Sequence, residues 1–435
     1  MKLSPRFLIS SFLADSGIKI IKRISRHRLI QQSGQIFFWS IVTKGIAFFA
    51  SAWMIRCLQP ENLGISGVVS VAVIQAGLFI NLGFDIVGAR DIASNKDNAR
   101  SIIETIIGLR MRVCLLLITI WFLGIIFFHP PSNTLFAWLM GAPLLLVGAF
   151  NNNWIFQGLE EMPILSKITA FISLVSAAAY LLFFRPIMPA GSDLLVMIFA
   201  NGVGLLFSWK FIHRKTHFSF FSTFDWQKAK IMLWNARWAF GMILVMFVYS
   251  QLDVLLLARF VDITQVGQYR CSTTMIGYVV LVIGIIPTLL YPRYTVWYKK
   301  SPELLWRYQK YLAVVFAVIT FPVMIVAIFI SKPLFHILYG ISYNEAIVPF
   351  IILVFAKMVV LVGGVYAWGI LAAGRERSVF FIESIAALVS LILNLKFIPK
   401  FGIIAAASTN AISETVVLAG CLYYAYHVSR SKVTV

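Results

Sequence analysis

The chain has 435 residues, 60% of them hydrophobic and only 12% charged, with a mean hydropathy of +0.87. Soluble domains carry about 25% charged residues, so this composition excludes a soluble enzyme or a domain on a single anchor and describes a polytopic membrane protein. The formal net charge of +20 raises nucleic acid as a partner, but the placement of the bases along the chain, traced below, removes it.

Residues 1–35 form a basic, cytoplasmic leader. Ile20, Ile21 and Ile24 fall on one helical face, with Lys19, Lys22, Arg23 and Arg26 on the other. That pattern suits an interfacial helix on anionic lipid headgroups; a disordered basic tail fits the same residues as well. The first long apolar run is 36–58, too long for the core of a cleaved signal peptide. Seven Lys or Arg precede it, so its start stays in the cytoplasm. It carries Lys44 near its middle. A lysine at membrane depth costs about 2.5–3.5 kcal/mol on insertion scales and faces a protein interior or a watery cavity.

Eleven more spans follow, at 63–82, 113–128, 134–150, 168–184, 194–212, 238–257, 274–290, 311–330, 347–372, 378–395 and 402–426. The fold class is therefore all-α integral membrane. A first bundle of six helices covers 36–212, a cytoplasmic linker 213–237, a second bundle 238–426 and a cytoplasmic tail 427–435. With the N-terminus inside, 28 of the 37 bases lie on or beside inner segments. Six lie outside (Arg185, Arg259, Arg270, Lys332, Lys396, Lys400), and Lys44, Arg56 and Lys357 lie within spans. The bias follows the positive-inside rule and accounts for the net charge without nucleic acid.

The chain repeats itself. RCLQPENLG at 56–64 aligns with RFVDITQVG at 259–267, and Trp154 with Trp368. Six spans per half make this a parallel repeat, the kind that alternates access by rocking one half on the other.

No phosphate-binding GxxxxGK[ST] loop is present, so ATP is not used by this chain. Cys57, Cys114, Cys271 and Cys421 are scattered, which gives neither a disulfide framework nor a zinc site. No cofactor and no metal are expected, and no inner loop is large enough for a catalytic domain.

Five stretches carry a resemblance: GFDIVGARDIA at 83–93, WIFQGLEEM at 154–162, QLDVLLLARFVDITQVGQY at 251–269, YGISYNE at 339–345 and IPKFGIIAAASTNAISE at 398–414. In order and spacing they resemble the polysaccharide flippases of the multidrug/oligosaccharidyl-lipid/polysaccharide exporter superfamily, in particular the Wzx-type O-antigen flippases. The resemblance implies two six-helix bundles, related by a pseudo-two-fold axis, around a central cavity in the bacterial inner membrane. It implies a secondary flippase, not an enzyme, that moves undecaprenyl-diphosphate-linked oligosaccharide from the cytoplasmic to the periplasmic leaflet. The implied partners are the lipid-linked oligosaccharide and the polymerase and chain-length proteins of the same pathway.

A diphosphate crossing oil needs cations; Lys44 and Lys357 are the deepest, and Arg56 lies near the outer end of the first span. They are the expected cavity cations; pairing with carboxylates for assembly is the competing reading. Glu414, one turn after Asn410, is a candidate for ion coupling or a structural hydrogen bond. Asp253 is the second coupling candidate, and lies close enough to Arg259 for an ion pair. Asp85 and Arg90, with Asp91, read as an interfacial charge network or an inner gate. Trp154 and Gln157 are candidate sugar contacts, with a membrane-belt role the alternative for the indole. Two other functions stay open: a cation-coupled multidrug exporter of the same superfamily, and a membrane polysaccharide polymerase or ligase.

Overall fold

The computed structural model describes residues 28–219, 224–283 and 285–430. The leader's amphipathic stretch falls outside them, as do residues 431–435 of the tail. Among the described residues the fold is entirely helical.

Thirteen α-helices follow in order: α1 (Arg28–Asn81), α2 (Phe84–Ser94), α3 (Ala99–Phe128), α4 (Ser132–Ala149), α5 (Asn153–Gly158), α6 (Met162–Phe183), α7 (Ser192–Thr216), α8 (Trp226–Phe260), α9 (Ile263–Ile283), α10 (Ile285–Lys300), α11 (Pro302–Leu338), α12 (Ile347–Ala372) and α13 (Glu376–Arg430). Nine helical stretches of the described residues are long and apolar enough to cross a membrane.

Two of the long helices are broken, and each holds two of the expected spans. α1 breaks at Gln59 (φ 62°) before Pro60, whose ring removes a backbone donor. α13 breaks at Gly402 (φ 55°, ψ −133°), a conformation that favours glycine. Several boundaries differ from the sequence reading. α3 starts at Ala99, fourteen residues before the predicted span at 113, because its first turns are charged yet pack against protein. The predicted linker 213–237 is helical at both ends, since α7 runs to Thr216 and α8 begins at Trp226. α9 starts at Ile263, so Arg270 sits in a helix and not in an outer loop.

The largest buried apolar cluster draws on both halves of the chain, with Ile55 and Leu58 of α1 against Tyr269 and Cys271 of α9 and Phe350 of α12. A second cluster, around Trp154, Phe84 and Ile106, lies mostly in the first half and takes in Ala229 and Ala236 of α8. Outward faces carry bare apolar side chains: Phe128 is 80% exposed and Phe329 76%. Such faces have a solvent in lipid and none in water.

The segments paired by the internal repeat lie against each other. A Cβ on Gly64 would stand 2.1 Å from the Ile263 carbonyl, and one on Gly267 would stand 1.7 Å from the Pro60 carbonyl. Pro60 and Ile263 are repeat partners, as are Gly64 and Gly267. Reciprocal contact of this kind is the signature of a two-fold relation. Only glycine leaves room for the two backbones to cross there.

Candidate functional site

From that crossing the two halves stay in contact along α1 and α9. The Arg270 stem packs on Gly67, 3.3 Å from where a Cβ would be. The Tyr343 hydroxyl donates to the Ile55 carbonyl at 2.8 Å. Tyr278 then closes the seam: its ring meets Phe48 edge-on at 5.0 Å, and its hydroxyl lies 2.7 Å from that of Ser51 and 3.3 Å from the Ala47 carbonyl.

Lys44 is exposed. Phe48 and Ser51 follow it at i+4 and i+7, so all three share one helical face, the face that Phe48 and Ser51 turn toward Tyr278. Lys44 thus lies one turn N-terminal of the closure, on the side facing the second half. Arg56, the third expected cavity cation, is at the other end of the seam. Its Nη1 donates to the Ile337 carbonyl at 3.4 Å, at the C-terminal turn of α11, where a cation suits the helix dipole.

Lys357 is not free. Its Nζ donates to Glu414 Oε1 at 3.0 Å, with the two side chains 20% and 8% exposed. The expected cavity cation and the expected coupling acid are therefore one pair, joining α12 to α13. Glu383 lies within electrostatic range of Glu414. Asp253 is not paired with Arg259; it accepts from the Tyr269 hydroxyl and from the Val254 amide and feels the charges of Arg270 and Lys357. The polar side of α13 is incompletely bonded: Asn394 Oδ1, Asn410 Oδ1 and Ser413 Oγ are buried without a partner among the described residues.

Arg270 is the residue that the sequence reading missed. It is partly buried on α9 and lies in the field of Asp193 from the first half and Asp253 from the second. Asp193 bonds Ser66 with one oxygen, while its Oδ1 has no partner among the described residues. The signal was available: apart from Gly267, the stretch around Arg270 carries none of the Gly, Pro or Asn that punctuate a loop.

The chain breaks between α1 and α2 at Leu82 (φ 49°) and Gly83 (φ 82°). Arg110 of α3 stitches this break. Its Nη2 donates to Asp85 Oδ1 and Asn81 Oδ1, both at 2.8 Å, and its Nη1 donates to the Asn151 carbonyl at 3.1 Å. Asp85 thus serves Arg110, whereas Arg90 reaches only its neighbour Asp91, at 3.0 Å on the surface. Trp154 is buried, its ring 2.6 Å from where a Gly88 Cβ would stand, and offers no open face for a sugar. Gln157 is exposed. Lys96 donates to Glu160 at 2.8 Å and holds that exposed carboxyl below its usual range; Lys215 pairs with Glu161.

Comparison with known proteins gives the fold and the family. The structure is similar to that of the lipid II flippase MurJ in an inward closed conformation, with a TM-score of 0.72 and 12% identity over 91% of this chain and 90% of that one. It is also similar to an inward-facing multidrug resistance MATE family transporter of the MOP superfamily (TM-score 0.65, 12% identity, 88% and 94% covered). A Vibrio cholerae MATE transporter, VcmN, follows at a TM-score of 0.53 with 12% identity, 90% and 98% covered. At these identities the likeness establishes the fold. In sequence, 115 residues are 29% identical to a putative O-antigen transporter of Escherichia coli (strain K12), covering 25% of this chain and 27% of that protein; the match spans about a quarter of the relative. The family model described as "Polysaccharide biosynthesis protein" matches residues 53–348, and the chain belongs to that family.

Proposed function

We propose that this chain is a secondary transporter that moves a lipid-linked oligosaccharide, joined to its polyprenyl chain through a diphosphate, from the cytoplasmic to the periplasmic leaflet. Two six-helix halves, 36–212 and 238–426, rock about the glycine crossing and open in turn to each side. The protein sits in the bacterial inner membrane with both termini in the cytoplasm, and works beside the polymerase and chain-length proteins that use its product. The observation that carries this reading is Lys44: an exposed ammonium at membrane depth, on the α1 face that meets the second half, one turn N-terminal of the Tyr278 closure. A diphosphate arriving from the inner side meets that charge first. Further along lie Lys357, which must exchange its carboxylate for phosphate, and Arg270, which lies in the field of Asp193 and Asp253. Arg56 acts at the outer rim, and Glu414 and Asp253 are the acids that such an exchange would release. Membership of the polysaccharide biosynthesis family supports the cargo class. Cationic drugs, the cargo of the competing exporter reading, would be repelled by Lys44.

The test is Lys44→Gln in a strain that depends on this gene for surface polysaccharide. Export should fall at least ten-fold at unchanged protein level. Normal surface polysaccharide in that variant would take the diphosphate route away from Lys44.

A further inference from the structure

α8 has 35 residues, about 52 Å of helix at 1.5 Å per residue, against a hydrocarbon core of about 30 Å. With Arg214, Lys215, Lys228 and Lys230 marking the cytoplasmic side, its N-terminal turns reach the inner headgroup layer. Trp226, Lys230, Trp234 and Trp238 follow one another there at intervals of four, with Arg237 among them. At 100° per residue these five project to one side. Ala236 and Ala239 occupy the opposite side, where Gly83 of the first half packs, its Cβ position 3.0 Å from the Ala236 carbonyl and 3.1 Å from the Ala239 Cβ. The tryptophan side therefore faces away from the first half, and Trp234 and Trp238 are 67% and 70% exposed.

The Arg237 guanidinium lies 4.1 Å from the Trp234 ring centre and 5.8 Å from that of Trp238. Two indoles and the Trp234 carbonyl, which accepts from Arg237 Nη1, thus hold the cation in place, and its other N–H groups have no partner among the described residues. Among the described residues neither Lys230 nor Arg237 has a carboxylate within ion-pair distance; the nearby Asp225 caps α8 and pairs with Lys228 at 3.7 Å. A crevice of about 490 Å³ lies alongside, lined by Lys230, Ile231, Leu233 and Trp234. A fixed guanidinium, a second base, indoles at headgroup level and an apolar crevice together complement one ligand class.

We propose that this face of α8 binds an anionic phospholipid of the inner leaflet. The phosphate sits on Arg237 and Lys230, where a guanidinium forks onto phosphate oxygens; the indoles settle at the interface; and an acyl chain fills the crevice. The site stands on the helix that opens the second half, so a bound headgroup steadies the point where the two halves are joined.

The experiment uses the full chain, delipidated in detergent, titrated with phosphatidylglycerol or phosphatidylcholine and read by native mass spectrometry. The expected result is one tightly retained phosphatidylglycerol per chain, at least five-fold weaker retention of phosphatidylcholine, and a five-fold or greater loss in the Arg237→Gln/Lys230→Gln variant. Should that variant fail to fold, Trp234→Phe/Trp238→Phe keeps the bases but loosens the grip on Arg237, and retention should fall by about half. Equal retention in wild type and the folded variants overturns the proposal. So does equal retention of the two lipids, or one-for-one displacement by a polyprenyl diphosphate, which would give the face to the cargo.

Discussion

Arg110 in the first half and Lys357 in the second are both cations with little access to water, and their surroundings differ. Arg110 is 2% exposed and tied to the Asn151 carbonyl, the Asn81 amide oxygen and Asp85, whose own side chain is 42% exposed. Every one of these partners lies beside a break in the helices, and the arginine holds the breaks in register. Lys357 makes a single described bond, to an acid that is itself 8% exposed. Around that pair lie a second acid, Glu383, the neighbouring field of Asp253, and, on the same stretch of α13 as Glu414, Asn410 Oδ1 and Ser413 Oγ, both buried without a partner among the described residues. A charge held by three fixed partners keeps a shape, even with its Nε left without one among the described residues. A charge with spare acceptors nearby can change partners at low cost, which is what a moving cargo requires.

Substitutions at three places put that contrast to the test. The largest effect is expected at the stitched break. Asp85→Ala strands a buried guanidinium and should cost about 3–5 kcal/mol, read as unfolding in detergent. Arg110→Met should cost less, because the half-exposed carboxylate left behind can hydrate; the reverse order would mean that Arg110 acts chiefly through packing. Next comes the crossing. Gly267→Ala places a methyl group on the Pro60 carbonyl, and overpacking of this kind costs about 1–3 kcal/mol, at times more. Here the halves should separate at the outer end, so that an outer-side thiol probe on α1 reacts faster; an unchanged rate would show that the seam closes without the glycines. The smallest effect is expected at Lys357–Glu414. A cycle of Lys357→Met and Glu414→Gln should give a coupling of about 1–2 kcal/mol, inside the ordinary range for contacting pairs. A coupling above that of Asp85 with Arg110 would make this pair the more rigid of the two.

Hydropathy made the membrane class and most helices legible, because lipid-facing surfaces must be apolar along their whole length. It failed where a helix faces protein. The first turns of α3, with Arg100, Glu104 and Arg110, and the middle of α9, with Gln268 and Arg270, are polar by composition and helical by packing. Lys44, Lys357 and Glu414 were visible as charges at depth, since such residues are rare enough to stand out. That Lys357 and Glu414 meet was not visible, because no rule of spacing links residues on different helices. The same holds for Asp253, which turned to Tyr269 sixteen positions away and not to Arg259 on its own helix. Trp154 carried the right chemistry for stacking on a sugar, but its place beneath Gly88 depends on how α2 and α5 meet.

The glycine crossing has a consequence for reversibility. Where two elements interlock through large side chains, parting them means withdrawing each knob from its hole and finding the rotamers again on return. At Gly64 and Gly267 nothing protrudes: bare peptide planes rest on each other. Such a joint can unfasten and reseat without any side chain to rearrange, and can repeat that for every molecule carried.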